Sequence, residues 1–189
     1  MTETKKAFTL IELLTVISII VILVAVLVPS LRVVQKSVKK AASRARFNQW
    51  ATAIESFKQE YGYYPWTEAT ESDTTLDLSE RAFGITFVET LSGRNANGDP
   101  VTTGGNRKAL SFYTFSNSDF FYDSATDTID ENALVDTFNN DKIMIVIDSN
   151  ENGRVVAGPN NEVVRVSVAI WTLDTNSDSD SSMTVRSWE

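Results

Sequence analysis

From Phe8 to Val28 the chain reads FTLIELLTVISIIVILVAVLV, 21 residues with one charge, Glu12. As an α-helix this run is about 31 Å long, close to the hydrocarbon thickness of a bilayer. A helix that is apolar on every side must find lipid or other helices. Seven residues precede it, MTETKKA, with Lys5 and Lys6. A secretory signal has an apolar core of roughly 7–15 residues and closes on an A-x-A-like cleavage site. Here the core is longer and no such site ends it, so the run is expected to stay on the chain as a membrane helix.

Glu12 lies four residues after Phe8, one helical turn in. Near the end of an apolar helix a carboxylate can snorkel to the interface. If the chain were cut before Phe8, however, a new α-amino cation would sit at the helix start. Glu12 would be placed to neutralise that cation, its own or a neighbour's. Pro29 follows the run directly. It removes one backbone donor and clashes one turn back, which predicts a kink or local weak point, or simply the end of the span.

Beyond Pro29 the helical pattern continues. Leu31, Val34, Val38, Ala41 and Ala45 step by three and four. Phe47, Trp50, Ile54, Phe57 and Tyr61 carry the stripe on, and Gly62 and Pro65 supply a stop. The implied helix, Phe8 to Tyr61, would be about 80 Å long. Its second half offers an aromatic face to a sheet.

Composition narrows the chemistry. There is no Cys and no His, which removes disulfides, thiolate and imidazole catalysis and the commonest metal ligand. The net charge of −8 disfavours gripping a phosphate backbone, so no nucleic acid is expected as a partner. The charge is also segregated. Ser30 to Trp50 holds six basic residues (Arg32, Lys36, Lys39, Lys40, Arg44 and Arg46) and no acid, while Ala51 to the end holds 9 basic and 23 acidic residues. The basic stretch reads as a solvated face, or as a collar for lipid headgroups or the acidic heads of neighbouring subunits.

The string KKAFTLIELLTVISIIVILVAVLVPSL resembles the N-terminal signal of type IV pilins and type II secretion pseudopilins. The likeness spans Lys5 to Leu31: basic leader, small residue before the cut, Phe8, Glu12, apolar run and Pro29. It implies that a prepilin peptidase cuts between Ala7 and Phe8 and methylates the Phe8 amine. The family usually has Gly where this chain has Ala7. The likeness also implies a cytoplasmic N-terminus, an inner-membrane span and a periplasmic or extracellular head. Counting basic residues about the span gives the opposite orientation, and the more specific pattern is preferred. The expected organisation is a leader (1–7), a membrane and filament-core helix (8–29), its amphipathic continuation (30–62) and a head (63–189).

The head is expected to be α+β, with a small antiparallel sheet packed on the second half of the long helix, as in pilins. After the YGYYPW stop, Thr67 to Leu78 reads as a polar, acidic linker. Ser79 to Leu91 reads as a short helix and Ser92 to Lys108 as a Gly/Asn-rich loop. Leu110 to Asp123 reads as partly extended. Lys142–Ile147, Val163–Trp171 and Met183–Trp188 read as strands, the second with Val164, Val166, Val168 and Ile170 on one face. The order Asp136–Asn140 turn, KIMIVID, VSVAIWTLD, TNSDSDSS and TVRSW is similar to the tail of the major pseudopilins.

Two segments are rich in the hard oxygen ligands that calcium prefers. Asp148, Asn150, Asn152 and Gly153 match the first half of an EF-hand loop, but the twelfth position is Pro159, and a β-turn explains the segment equally well. The loop Asp174 to Ser181 alternates Asp and Asn with other residues. The pseudopilin likeness implies calcium there, with Asp174, Asp178 and Asp180 as ligands. The expected molecule is a structural subunit, not an enzyme. It would polymerise with itself and with other pilins or pseudopilins, through an inner-membrane platform and its ATPase, in a filament that drives protein export. The alternatives are a type IV pilus subunit for adhesion, motility or DNA uptake, and an exported binding domain on a signal anchor.

Overall fold

A computed structural model of the chain describes residues 9–66, 73–173 and 184–188, apart from the side chains of Val26, Val28, Pro29 and Ser30. It is α+β, as the sequence predicts. One helix, α1, runs from Leu10 to Tyr61, 52 residues. The chain divides into two compact units between Val38 and Lys39.

In the first unit the described apolar side chains of the helix are exposed. Leu10 is 82% exposed, and Ile11, Val21, Ile22 and Leu23 are each more than 60% exposed. Apolar side chains point outward on every side because the sequence provides no polar face there. Among the described residues no helix is long and apolar enough to cross a membrane.

The second unit is built on the rest of α1. Phe47, Trp50, Ile54 and Phe57 are fully buried, so the predicted aromatic stripe is the one that docks. Trp50 packs edge-on against Phe87, with ring centroids 5.4 Å apart, and tilted against Phe47 at 5.6 Å. The helix stops where its sequence says it should. Gly62 takes φ +81 and returns its N–H to the Lys58 carbonyl at 2.8 Å, a left-handed cap open to glycine at little cost.

The remaining elements are β1 (Thr74–Asp77), α2 (Arg81–Ser92), β2 (Phe120–Asp123), β3 (Thr128–Leu134), β4 (Ile143–Ile147), β5 (Val155–Ala157), β6 (Glu162–Val164) and β7 (Val168–Thr172). An antiparallel sheet of order β1-β4-β7 faces α1 through Ile143, Ile145, Ile147, Val168 and Ile170. β2–β3 and β5–β6 are separate antiparallel hairpins. On the other side of the main sheet, Val146, Ala169 and Trp171 join Val155 and Ala157 in a second small core, against which Trp188 packs. The closing segment lies along β7: Thr172 N–H donates to the Val185 carbonyl at 3.0 Å and Ser187 N–H to the Ile170 carbonyl at 2.9 Å.

Three expectations need correction. Val163–Trp171 is not one strand. It breaks at Arg165–Ser167 into β6 and β7, which belong to different sheets. Val164 and Val166 pack on the outer core, whereas Val168 and Ile170 enter the main one. The Thr67–Leu78 linker contains β1, an edge strand whose Leu76 sits opposite Ile145. Met183–Trp188 is not a strand in its described residues, 184–188: it meets β7 through one antiparallel bridge, Trp171 with Arg186. Leu110 to Asp123 is partly extended, as expected, through its last four residues.

Candidate functional site

Ala7 and Phe8 lie outside the described residues. Glu12 lies inside, in a defined arrangement. Thr9 is the residue before the helix, and both its N–H and its hydroxyl donate to Glu12 Oε2, at 2.9 and 2.7 Å. Glu12 N–H donates back to Thr9 Oγ1 at 3.3 Å. This is a capping box: each residue satisfies a donor that the first helical turn leaves unpaired. The sequence carries the signal for it, Thr-x-x-Glu ahead of an apolar run. Both Thr9 bonds fall on one carboxylate oxygen, Oε2. Pro29 sits within α1, which continues through it.

At the other end of the stripe the basic stretch departs from expectation at Arg46. This side chain does not face outward. Its Nε lies 2.8 Å from Asp119 Oδ1, and its Nη1 donates to the Val135 carbonyl at 2.9 Å. Asp119 is only 2% exposed. Its Oδ2 also accepts the Ser116 N–H at 2.7 Å. One helix side chain thus clamps the start of β2 and the end of β3 onto α1. Beside it, the Ser43 and Thr137 hydroxyls are 2.6 Å apart, and Thr137 Oγ1 donates to the Lys39 carbonyl at 2.7 Å.

Thr137 belongs to the predicted Asp136–Asn140 turn. Asp136 Oδ1 accepts the Phe138 and Asn140 N–H groups at 2.8 and 2.9 Å. Its Oδ2 is buried without a hydrogen-bond partner. Burial pushes the Asp136 carboxyl above the usual carboxylate range, against the two backbone donors that favour the anion. The turn also reaches forward, with the Asn140 amide donating to the Leu173 carbonyl at 2.8 Å.

Leu173 adjoins the acidic loop. Asp174, Asp178 and Asp180 lie outside the described residues. The other oxygen-rich segment is described, and its oxygens accept backbone N–H groups of the turn. Asp148, 4% exposed, accepts the Asn152 N–H on Oδ1 at 3.0 Å and the Gly153 N–H on Oδ2 at 2.8 Å. Asn150 Oδ1 accepts Asn152 N–H, and Asn152 Oδ1 accepts Arg154 N–H. Asn150 spends its amide on Asp73. Burial, together with the nearby Asp148 charge, raises the Asp73 carboxyl above its ordinary value. Among the described residues no three Asp or Glu gather as a metal-holding group.

Asn106 is a structural residue that the sequence reading passed over. It is fully buried. Its amide donates to the Thr90 and Leu110 carbonyls at 2.8 and 2.7 Å, and its Oδ1 accepts from the Tyr61 hydroxyl at 2.7 Å. It thereby fixes the Gly/Asn-rich loop to the end of α1. No family model, curated protein or solved structure matches this chain.

Proposed function

We propose that the chain is a structural subunit of a type II secretion pseudopilus. It would be made as a membrane-inserted prepilin, cleaved before Phe8 and assembled into a helical filament. The observation that carries the reading is the first half of α1. It is an apolar helix start with one carboxylate, its described apolar side chains exposed, and the same helix goes on into an α+β head. A globular protein does not leave so much contiguous apolar surface uncovered without a partner for it. Lipid before assembly and other stems after it supply that partner. The 21-residue apolar run of the sequence has the length for the first role.

Glu12 carries the recognition step. Thr9 holds Oε2, and the other carboxylate oxygen can receive the Phe8 ammonium of an incoming copy. In a medium of low polarity such a charge pair is weakly screened and costly to leave unmatched, so it sets register between subunits.

The test is mass spectrometry of the mature chain together with Glu12→Ala. A fragment beginning at N-methyl-Phe8 is expected, and Glu12→Ala should insert in the membrane yet yield no filaments. An intact Met1 in cells with active prepilin peptidase, or undiminished filaments from the variant, would refute the reading.

A further inference from the structure

We infer that a cleft between α2 and the β2–β3 hairpin holds an arginine side chain presented by a partner polypeptide. The inference goes beyond the filament reading and does not need it. The cleft has a volume of about 390 Å³, within the usual range of ligand pockets. It follows from the two faces of α2. Phe87 and Leu91 turn into the core, while Ile85, Val88 and Glu89, three and four residues apart, line the cleft. Ile85 and Val88 are apolar and only half-buried. The opposite wall is aromatic. The Tyr113 N–H donates to the Leu91 carbonyl at 3.0 Å, which ties the chain after the Gly/Asn-rich loop to the end of α2. From there Tyr113, Phe115 and Phe120 make a continuous row of half-buried rings, with successive centroids 4.7 and 6.0 Å apart.

Charge decides the ligand. β3 lies close against the first half of α2, where a Cβ on Gly84 would stand 3.1 Å from the Asn132 carbonyl. That approach sets the exposed Glu131 at this end of the cleft. Glu89 is a second carboxylate: its Oε2 accepts the Thr103 hydroxyl at 2.7 Å, which leaves Oε1 for a ligand. Arg94 also lines the cleft, but it follows the last residue of α2, roughly 12 Å along the axis from Gly84. Its Nη1 donates to the Gly98 carbonyl at 2.8 Å. Arg81, at the start of α2, is taken up by Asp130. The Glu131 end therefore keeps its negative charge. A guanidinium suits rings and carboxylates together: it stacks on aromatic faces, its aliphatic stem can lie along Ile85 and Val88, and its forked donors meet a carboxylate in pairs. An ammonium would make the charge contact without the stacked, forked one. Asn117 and Asn132 on the rim offer amides to the backbone on either side of that arginine, which favours a polypeptide over a small guanidine. The surplus of acids after Ala51, 23 against 9 basic residues, draws a cationic partner in.

The test is NMR of the full-length chain in detergent, with Ile and Val methyls labelled, titrated with the capped tripeptide acetyl-Ala-Arg-Ala-amide. The Ile85 and Val88 methyl signals should shift and saturate, with a Kd of about 1 mM or tighter. Replacing the arginine by citrulline, which keeps the shape and removes the charge, should abolish the shifts, and a lysine peptide should bind several-fold more weakly. Glu89→Gln with Glu131→Gln should weaken the arginine peptide about tenfold. Glu131 is exposed, and Glu89→Gln keeps an oxygen for the Thr103 hydroxyl, so the head should stay folded. If that variant melts at a lower temperature than the parent, the comparison of arginine and citrulline peptides on the parent decides alone. Equal binding of the citrulline peptide, or of the lysine peptide, would show that the cleft does not read a guanidinium and would overturn the inference. Free agmatine binding more tightly than the arginine peptide would make this a small-guanidine site, with the same result. No shift at Ile85 and Val88 at about 10 mM peptide, tenfold above that constant, would leave the cleft without this occupant and the filament reading untouched.

Discussion

Arg46 shows how much one residue decides. It is one of six basic residues in a segment without acids, and it pairs with a carboxylate that is 2% exposed. Its guanidinium joins α1 to the two residues that flank the β2–β3 hairpin, Asp119 and Val135. Arg46→Ala strands Asp119 as a buried charge without its partner, which typically costs about 3–5 kcal/mol. Arg46→Lys should cost less than Arg46→Ala, since it keeps the charge but loses the forked donors that reach Val135. Urea unfolding of the detergent-solubilised chain, followed by Trp fluorescence, measures both. A loss under about 1 kcal/mol for Arg46→Ala, the scale of an exposed pair, would mean that the pair does not clamp the helix. Nothing in the sequence marks Arg46 apart from Arg44 or Lys40. Its partner lies far along the chain, at Asp119, and only folding brings them together.

Elements were legible where one period ran long enough. The stripe from Phe47 to Phe57 is a 3.6-residue pattern carried by large aromatics, and it packs as read. α2 was legible through Phe83, Phe87 and Leu91, of which Phe87 and Leu91 are fully buried. β1 was not, because TTLD is short, polar and an edge strand, and an edge needs little apolar character. Val163–Trp171 misled because alternation continues through Arg165–Ser167 while the backbone changes sheet. The Asp136–Asn140 turn was legible as a turn, but its buried, unpartnered Oδ2 was not. That atom gives a pH prediction. The Asp136 carboxyl titrates above its unfolded value, so the folded state binds the proton more readily than the unfolded chain does. On this group's account, stability is lowest above the raised value and improves as pH falls through it toward the ordinary one. Arg46 and Lys39 face the group and moderate the shift without reversing it. Asp136→Asn removes the titration. Its stability relative to the parent should therefore be most favourable near neutral pH and decline as pH is lowered. A stability difference that stays constant with pH would show that Asp136 is charged at no cost.

At the scale of the molecule, the sequence separates an uncovered apolar helix from a head held together by aromatic packing and buried clamps. The residues on either side of the acidic segment 174–183 are held in the head. Leu173 N–H donates to the Lys142 carbonyl at 2.8 Å, and Asn140 holds the Leu173 carbonyl. After the segment, Val185 N–H donates to Thr172 Oγ1 at 3.0 Å, and Trp188 packs on Trp171 with ring centroids 6.1 Å apart. Leu173 is thus held by the residues before β4, and the chain after the segment is held by β7. A cation bound between such held flanks would spend little of its binding energy on rearranging the head. If Asp174, Asp178 and Asp180 bind calcium, the ion stabilises the folded head by mass action, about 2.7 kcal/mol when calcium is about a hundredfold above its dissociation constant. The melting temperature of the head should then rise with calcium, fall with chelator, and lose both responses in Asp178→Asn with Asp180→Asn. Magnesium should substitute poorly, because it demands a tight octahedron and gives up its waters reluctantly. Identical melts in calcium and in chelator would remove the metal from the account and leave the loop as a solvated acidic turn, with the C-terminal Trp171–Trp188 contact closing the head unaided.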